Sequence, residues 1–171
     1  MENGAEPSRS ERKSKPLLWK DPNEKENKKS EPININNAGL VLASTYIPTL
    51  FQRLNLTNGK VFVSEEAKYQ ALFCLQYLVD GRSEAPEYLL PLNKILCGIP
   101  ISTPIPSQVD LPSEAISIID GLLNAIISHW NSLGSTSIEG LRTTFIQREG
   151  QLLDEEKQWK LSVIPVHLTC C

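Results

Sequence analysis

His129, His167, Cys74, Cys97, Cys170 and Cys171 are the side chains of this 171-residue sequence best suited to nucleophilic or metal-assisted chemistry. A cysteine and a histidine distant in sequence can meet in space and yield a thiolate nucleophile, and Cys97 with His129 is the pair to consider. Cys97, however, closes the apolar run Ile95-Leu96-Cys97 just before Gly98, a setting that favours a buried and inert thiol. His129 sits beside Trp130 on a helical pattern and reads as a packed or surface residue. No two cysteines have the C-x-x-C spacing of a zinc site, and four free thiols are the expectation. The carboxylate pairs Glu65-Glu66 and Glu155-Glu156 fit a first helical turn and a solvated hairpin tip, and Asp120 lies off the apolar stripe of its helix. No glycine-rich loop of phosphate-binding spacing occurs. Neither catalysis nor a metal or other cofactor is expected.

Polar residues embedded in apolar surroundings are more informative. Asn93 and Lys94 interrupt L-P-L-N-K-I-L-C-G, and Arg142 and Arg148 lie on one short helical segment. Two readings compete. In one, Asn93 bonds a helix end and the arginines clamp carbonyls or carboxylates inside the domain. In the other, Lys94, Arg142 and Arg148 form an interface with a symmetry mate or another protein.

The elements that position these residues can be read from periodicity. Asn36 or Asn37 can cap a first helix, with Ala43, Ile47, Leu50 and Leu54 at helical spacing and Pro48 as a kink. Asn58-Gly59 marks a turn and Lys60 to Val63 a short extended piece. Ser64 with Glu65 and Glu66 starts a helix whose stripe is Ala67, Ala71, Leu75 and Leu78, stopped at Gly81. Pro86-Glu87 opens the next, with Pro91 as a restart and Gly98 as its end. Four prolines make residues 99–112 a stiff extended connector.

Ser113 then opens the strongest helix, with Ala115, Ile119, Leu122, Ile126, Trp130 and Leu133 on one face and Gly134 as its stop. Trp130, Leu122, Ile126 and, from the following helix, Phe145 are the expected core anchors. That helix runs from the Ser137 cap to Arg148, with Gly150 at its end. Leu152-Leu153, a D-E-E-K turn and the alternating Trp159, Leu161 and Val163 predict a β-hairpin, which must lie against the helices because two strands alone are marginal. The fold class is therefore mainly α: a compact domain of about five helices with a small C-terminal hairpin.

Composition sets the outer limits. Residues 1–34 carry eight Lys/Arg and seven Asp/Glu, with Leu17, Leu18, Trp19 and Ile33 as the main apolar residues, so this charged arm is expected to be disordered. The L-L-W run within it is an isolated apolar cluster or a short docking motif. Residues 35–165 form the helical domain and 166–171 a short tail. The remainder beyond residue 34 holds nine basic and thirteen acidic residues, too acidic a balance for nucleic-acid binding. No apolar run nears the roughly 18 residues needed to span a bilayer, and the N-terminus lacks a signal-peptide core. A cytoplasmic start and no membrane insertion are expected.

Four segments together carry a family likeness: I-N-N-A-G-L-V-L at Ile35–Leu42, E-Y-L-L-P-L-N-K-I-L-C-G-I-P at Glu87–Pro100, S-H-W at Ser128–Trp130 and L-R-T-T-F-I-Q-R-E-G at Leu141–Gly150. In this order and spacing, from about Ile33 to Val163, they resemble the C-terminal domain of contractile injection system tape measure proteins. The resemblance implies a structural part of a phage-tail-like particle, one whose extended portion sets inner-tube length and whose ends are anchored at the baseplate side and the growing tip. Implied partners are tube or baseplate proteins, with self-association a further option; a small cytoplasmic adaptor is the alternative. Family members are longer. A 34-residue arm reaches roughly 50 Å as helix and about 120 Å fully extended, so this chain by itself is not expected to be the ruler. After W-K-L-S-V it reads I-P-V-H-L-T-C-C, where relatives continue with an acidic residue and a Trp-containing tail, which suggests a truncated, frameshifted or specialised relative.

Overall fold

The computed structural model describes residues 30–130 and 134–165. The expectations for most of the charged arm with its L-L-W run, for Leu133, and for the tail with His167, Cys170 and Cys171 lie outside the described residues. Within them the chain is mainly helical, with five α-helices and a small antiparallel sheet.

The centre of the core is α2, Glu65–Asp80. Ser64 caps it, its side-chain oxygen accepting a hydrogen bond from the Ala67 amide at 3.1 Å, and two acids occupy the positive first turn. Gly81 ends it with φ 77°, the left-handed conformation that a Cβ disfavours. Ala71, Leu72, Phe73, Cys74, Leu75 and Leu78 are all fully buried, so apolar residues surround this helix rather than forming the single expected stripe. A helix apolar nearly all round must be enclosed on every side. Here α3 (Pro91–Leu96), α4 (Ser113–His129) and the C-terminal segment pack around it.

Order begins earlier than expected, and as a strand. Ile33–Ile35 is β1, which pairs antiparallel with β4, Gly150–Asp154. The last residues of the supposed arm therefore belong to the sheet. Its order is β1-β4-β5, with β5 at Trp159–Val163, so the expected hairpin forms and gains a third strand. Asn37 does not cap an α-helix. A 3-10 turn spans Ala38–Ala43, and α1 occupies Ile47–Arg53 with Pro48 in its first turn. Proline is tolerated there because the first amides of a helix lack partners anyway, so it starts the helix instead of kinking it. Thr57–Asn58 and Val61–Phe62, β2 and β3, make a small hairpin around Gly59, and Phe62 packs on Phe51 with ring centroids 5.6 Å apart.

Helix α4 keeps the expected start and the face of Ala115, Ile119 and Ile126, but Leu123 is the buried neighbour and Leu122 is half-buried. The helix ends at His129, which makes Trp130 its half-buried cap rather than a central core residue. Ser137 caps α5, Ile138–Leu141, and the chain then widens into a π-helical turn over Arg142–Ile146. One extra residue per turn advances the inward register, so Ile146 is buried and Phe145 only half-buried, its ring edge-on to Trp130 at 6.4 Å. Of the four expected anchors, Ile126 is buried and Trp130, Leu122 and Phe145 pack around the margin.

Candidate functional site

Three of the four segments that carry the family likeness converge on the flank of α2. Asn37, from the first, donates through Nδ2 to Asn93 Oδ1 at 2.7 Å; Asn93 belongs to the second. Asn93 Nδ2 reaches the Leu72 carbonyl and Gln76 Oε1, both at 3.3 Å, and Gln76 Nε2 donates to Asp80 Oδ2 at 2.7 Å. A buried polar chain thus runs from the 3-10 turn through α3 to the C-terminal end of α2. Such a chain fixes one packing register, since a shifted partner would leave a desolvated amide at a cost of about 1–3 kcal/mol. Asn37 Oδ1 is the one buried side-chain oxygen or nitrogen without a hydrogen-bond partner among the described residues.

The fourth likeness segment, Leu141–Gly150, closes the end of α2. Arg142 donates from Nε to the Leu78 carbonyl at 3.2 Å and from Nη2 to the Tyr77 carbonyl at 2.9 Å, and its guanidinium lies over the Tyr77 ring, 5.3 Å from the centroid. Gln147 Nε2 donates to the Val79 carbonyl at 3.0 Å. The last carbonyls of a helix have no partners within it. Side chains from the π-turn region bond those of Leu78 and Val79 and add a second bond to that of Tyr77, which also accepts from the Gly81 amide. Arg142 is buried, and these bonds make it a clamp within the domain. Arg148 is partly exposed and donates to the Thr144 carbonyl, while its own carbonyl accepts from the Ala38 amide at 2.9 Å. At Gly39 a Cβ would stand 1.7 Å from the Phe145 carbonyl oxygen, so only glycine allows the first and fourth segments to touch.

Lys94 is also internal. Its side chain is 2% exposed, and Nζ donates to the carbonyls of Ile101 at 2.9 Å and Thr103 at 2.7 Å and pairs with Glu87. It pins the start of the 99–112 connector to α3. The connector is held again at Ala85–Ser107 and Val109–Ser83 by backbone bonds. Ile105, Val109 and Leu111 pack on the core, whereas Pro104 and Pro106 face outward. The donors and the volume of Lys94 are thus used inside the domain.

No nucleophile–base pair forms between Cys97 and His129. Cys97 is buried, and burial first, then the neighbouring Cys74, pushes its thiol pKa far up. Burial likewise pushes the Cys74 thiol up to about 12. His129 is exposed, its Nδ1 2.8 Å from the Ala125 carbonyl of its own helix. The Tyr77 hydroxyl donates to Asp120 Oδ1 at 3.4 Å, a long and partly buried contact. No group of three or more metal-binding side chains occurs among the described residues. A cleft of about 600 Å³ lies beside the polar chain, lined by Asn37, Gln76, Asp80, Arg82, Glu139 and Gln147. Asp80 and the amides of Asn37, Gln76 and Gln147 are engaged in the bonds just described, which fits a crevice between packed segments.

Gln76 and Gln147 were not picked out by reading the sequence, and Asn37 only as a possible helix cap. The available signal was Gln76, a lone amide within A-L-F-C-L-Q-Y-L-V, where a polar side chain must find an internal partner.

Residues 1–165 match the family described as contractile injection system tape measure protein. No curated protein and no solved structure matches the chain significantly.

Proposed function

The chain belongs to the contractile injection system tape measure protein family, and on that premise we propose that it is a structural part of such a particle, serving as the folded anchor of the tape measure. The observation that carries the reading is the family match over residues 1–165, nearly all of the chain. The interlocking of the likeness segments supports it. Asn37–Asn93, Gly39–Phe145 and Arg142–α2 spend the distinctive residues on making one rigid body, as an anchor requires, and none on presenting reactive groups. Its partners would be tube or baseplate proteins met during assembly. No described helix is long and apolar enough to cross a membrane.

The test is to purify intact particles from cells making them and to quantify this chain against tube and baseplate proteins by mass spectrometry. Recovery at a fixed ratio to the baseplate proteins is the expected result. A chain that stays wholly with the soluble cell fraction while particles assemble at normal length would sink the reading and favour a free adaptor.

A further inference from the structure

We infer that the outer edge of β5 is a pairing surface for a second copy of this chain, the two strands lying antiparallel about Leu161 and joining two three-stranded sheets into one. The hydrogen-bond phase of the hairpin leads there. The Ile164 amide donates to the Glu149 carbonyl at 2.9 Å, and the Glu155 amide to the Gln158 carbonyl at 2.9 Å. With the register Gln151↔Ser162 and Leu153↔Lys160 between them, the alternation of an antiparallel ladder makes 149/164, 151/162, 153/160 and 155/158 the hydrogen-bonded pairs. The amides and carbonyls of Trp159, Leu161 and Val163 therefore point away from β4. They have no partner among the described residues, since β5 is an end strand of its sheet. An open row of this kind is a template for another strand.

The side chains supply the second argument. Leu161 lies opposite buried Leu152, so Trp159, Leu161 and Val163 share the apolar face of the sheet. Trp159 remains 37% and Val163 45% exposed. A two-fold axis through Leu161 puts Trp159 of each copy beside Val163 of the other and Leu161 beside its mate. All three outward residues then fall in hydrogen-bonded pairs, giving six backbone bonds and covering the exposed apolar row. On the solvent face Lys160 falls opposite Ser162 of the other copy, so the two lysines avoid direct opposition. Pro165, the next outward position, has no amide to donate and limits the pairing to this row. The strand is thus self-complementary in backbone phase, apolar face and charge, which selects a second copy as its occupant.

This pairing is a property of the isolated chain and stands or falls independently of the anchoring role. The test is sedimentation equilibrium of the full chain over a wide concentration range, with residue-resolved amide exchange. The expected result is a monomer–dimer equilibrium in which the Trp159, Leu161 and Val163 amides gain protection with concentration, while those of Lys160, Ser162 and Ile164 are protected throughout. Ser162→Lys places a lysine opposite Lys160 twice per dimer and is expected to weaken it about tenfold. Combining it with Lys160→Glu restores opposite charges and the affinity. Val163→Pro removes an outward donor without touching a β4 bond and is expected to abolish dimer. A chain monomeric at millimolar concentration, an oligomer other than a dimer, a dimer whose outward amides exchange at monomer rates, or a dimer indifferent to these substitutions overturns the inference.

Discussion

At the scale of single residues, Lys94 and Arg142 act as fasteners inside the domain. Lys94 shows why the ambiguity arises: a lysine flanked by apolar residues can be a contact for a partner or a buried cation with partners of its own. Its three partners, two connector carbonyls and Glu87, hold it within the domain. Lys94→Ala leaves both carbonyls desolvated and unbonded, and a loss of about 2–4 kcal/mol in urea-unfolding free energy is expected, since a bond to a charged group contributes about 1.5–3 kcal/mol. A midpoint equal to the parent's would show that the connector is not pinned there. The cysteines carry a pH signature. Burial raises the folded pKa of Cys74 from 9.0 to about 12 and that of Cys97 further, so above pH 9 the unfolded chain releases these protons while the folded chain keeps them. The unfolded state then binds fewer protons, and stability falls as pH rises from 9 towards 12. In a Cys170→Ser/Cys171→Ser background, Cys74 and Cys97 should resist alkylation at pH 8 and react only on unfolding; fast labelling of the folded chain would contradict their burial.

At the scale of elements, glycines report where segments touch. Gly39 faces the Phe145 carbonyl so closely that an added methyl must push two chain segments apart. Gly39→Ala is expected to cost about 3 kcal/mol or more, the upper range for overpacking a tight core. At Gly121 on α4 an added methyl would meet nothing within 4 Å, so Gly121→Ala should instead stabilise by about 0.5–1 kcal/mol through helix propensity. Thermal unfolding of the two variants checks both signs, and a shared sign would refute the packing described. The same elements show what the sequence discloses. The Ser64 cap, the Gly81 stop, the Ser137 cap and the alternation of Trp159, Leu161 and Val163 are local rules, and each is legible from a few neighbours. The pairing of β1 with β4 is not. Ile33–Ile35 is too short to show alternation, and its partner lies more than a hundred residues away. The π-turn escaped for a related reason: the pattern Ile138, Leu141, Phe145 suits an α-helix, and only packing against the 3-10 turn and α2 shifts the register to Ile146. Leu122 and Leu123 are equally apolar, so which one faces α2 is settled by how the helices cross and not by composition.

At the scale of the whole molecule, the family segments were legible as a set, yet their meaning was not, because Asn37, Asn93, Arg142 and Gly39 acquire partners only once distant parts of the chain close around α2. With Lys94 and Arg142 held inside the domain, the outward side of the 99–112 connector becomes the favoured candidate for contact with the particle. Pro104 and Pro106 face solvent on a strap fixed by Lys94, by two backbone bonds and by the burial of Ile105, Val109 and Leu111 beneath it. A strap already held in one conformation loses little entropy on docking. Replacing the entire connector with Gly/Ser would also remove the core contacts, so the informative variant is Pro104→Ser/Pro106→Ser, which leaves the inward residues in place. Each loss of a compatible proline costs only about 0.4–1 kcal/mol of stability. In pull-downs from particle-producing cells, this variant should stay folded and recover less tube or baseplate protein than the parent. Cys97→Ala/His129→Ala should recover as much as the parent and support particle function, because the structure joins these residues in no common chemistry. If the proline variant bound undiminished, the connector would not be the contact surface. If the double variant stayed folded and bound but abolished particle function, a role beyond binding would have to be assigned to Cys97 or His129.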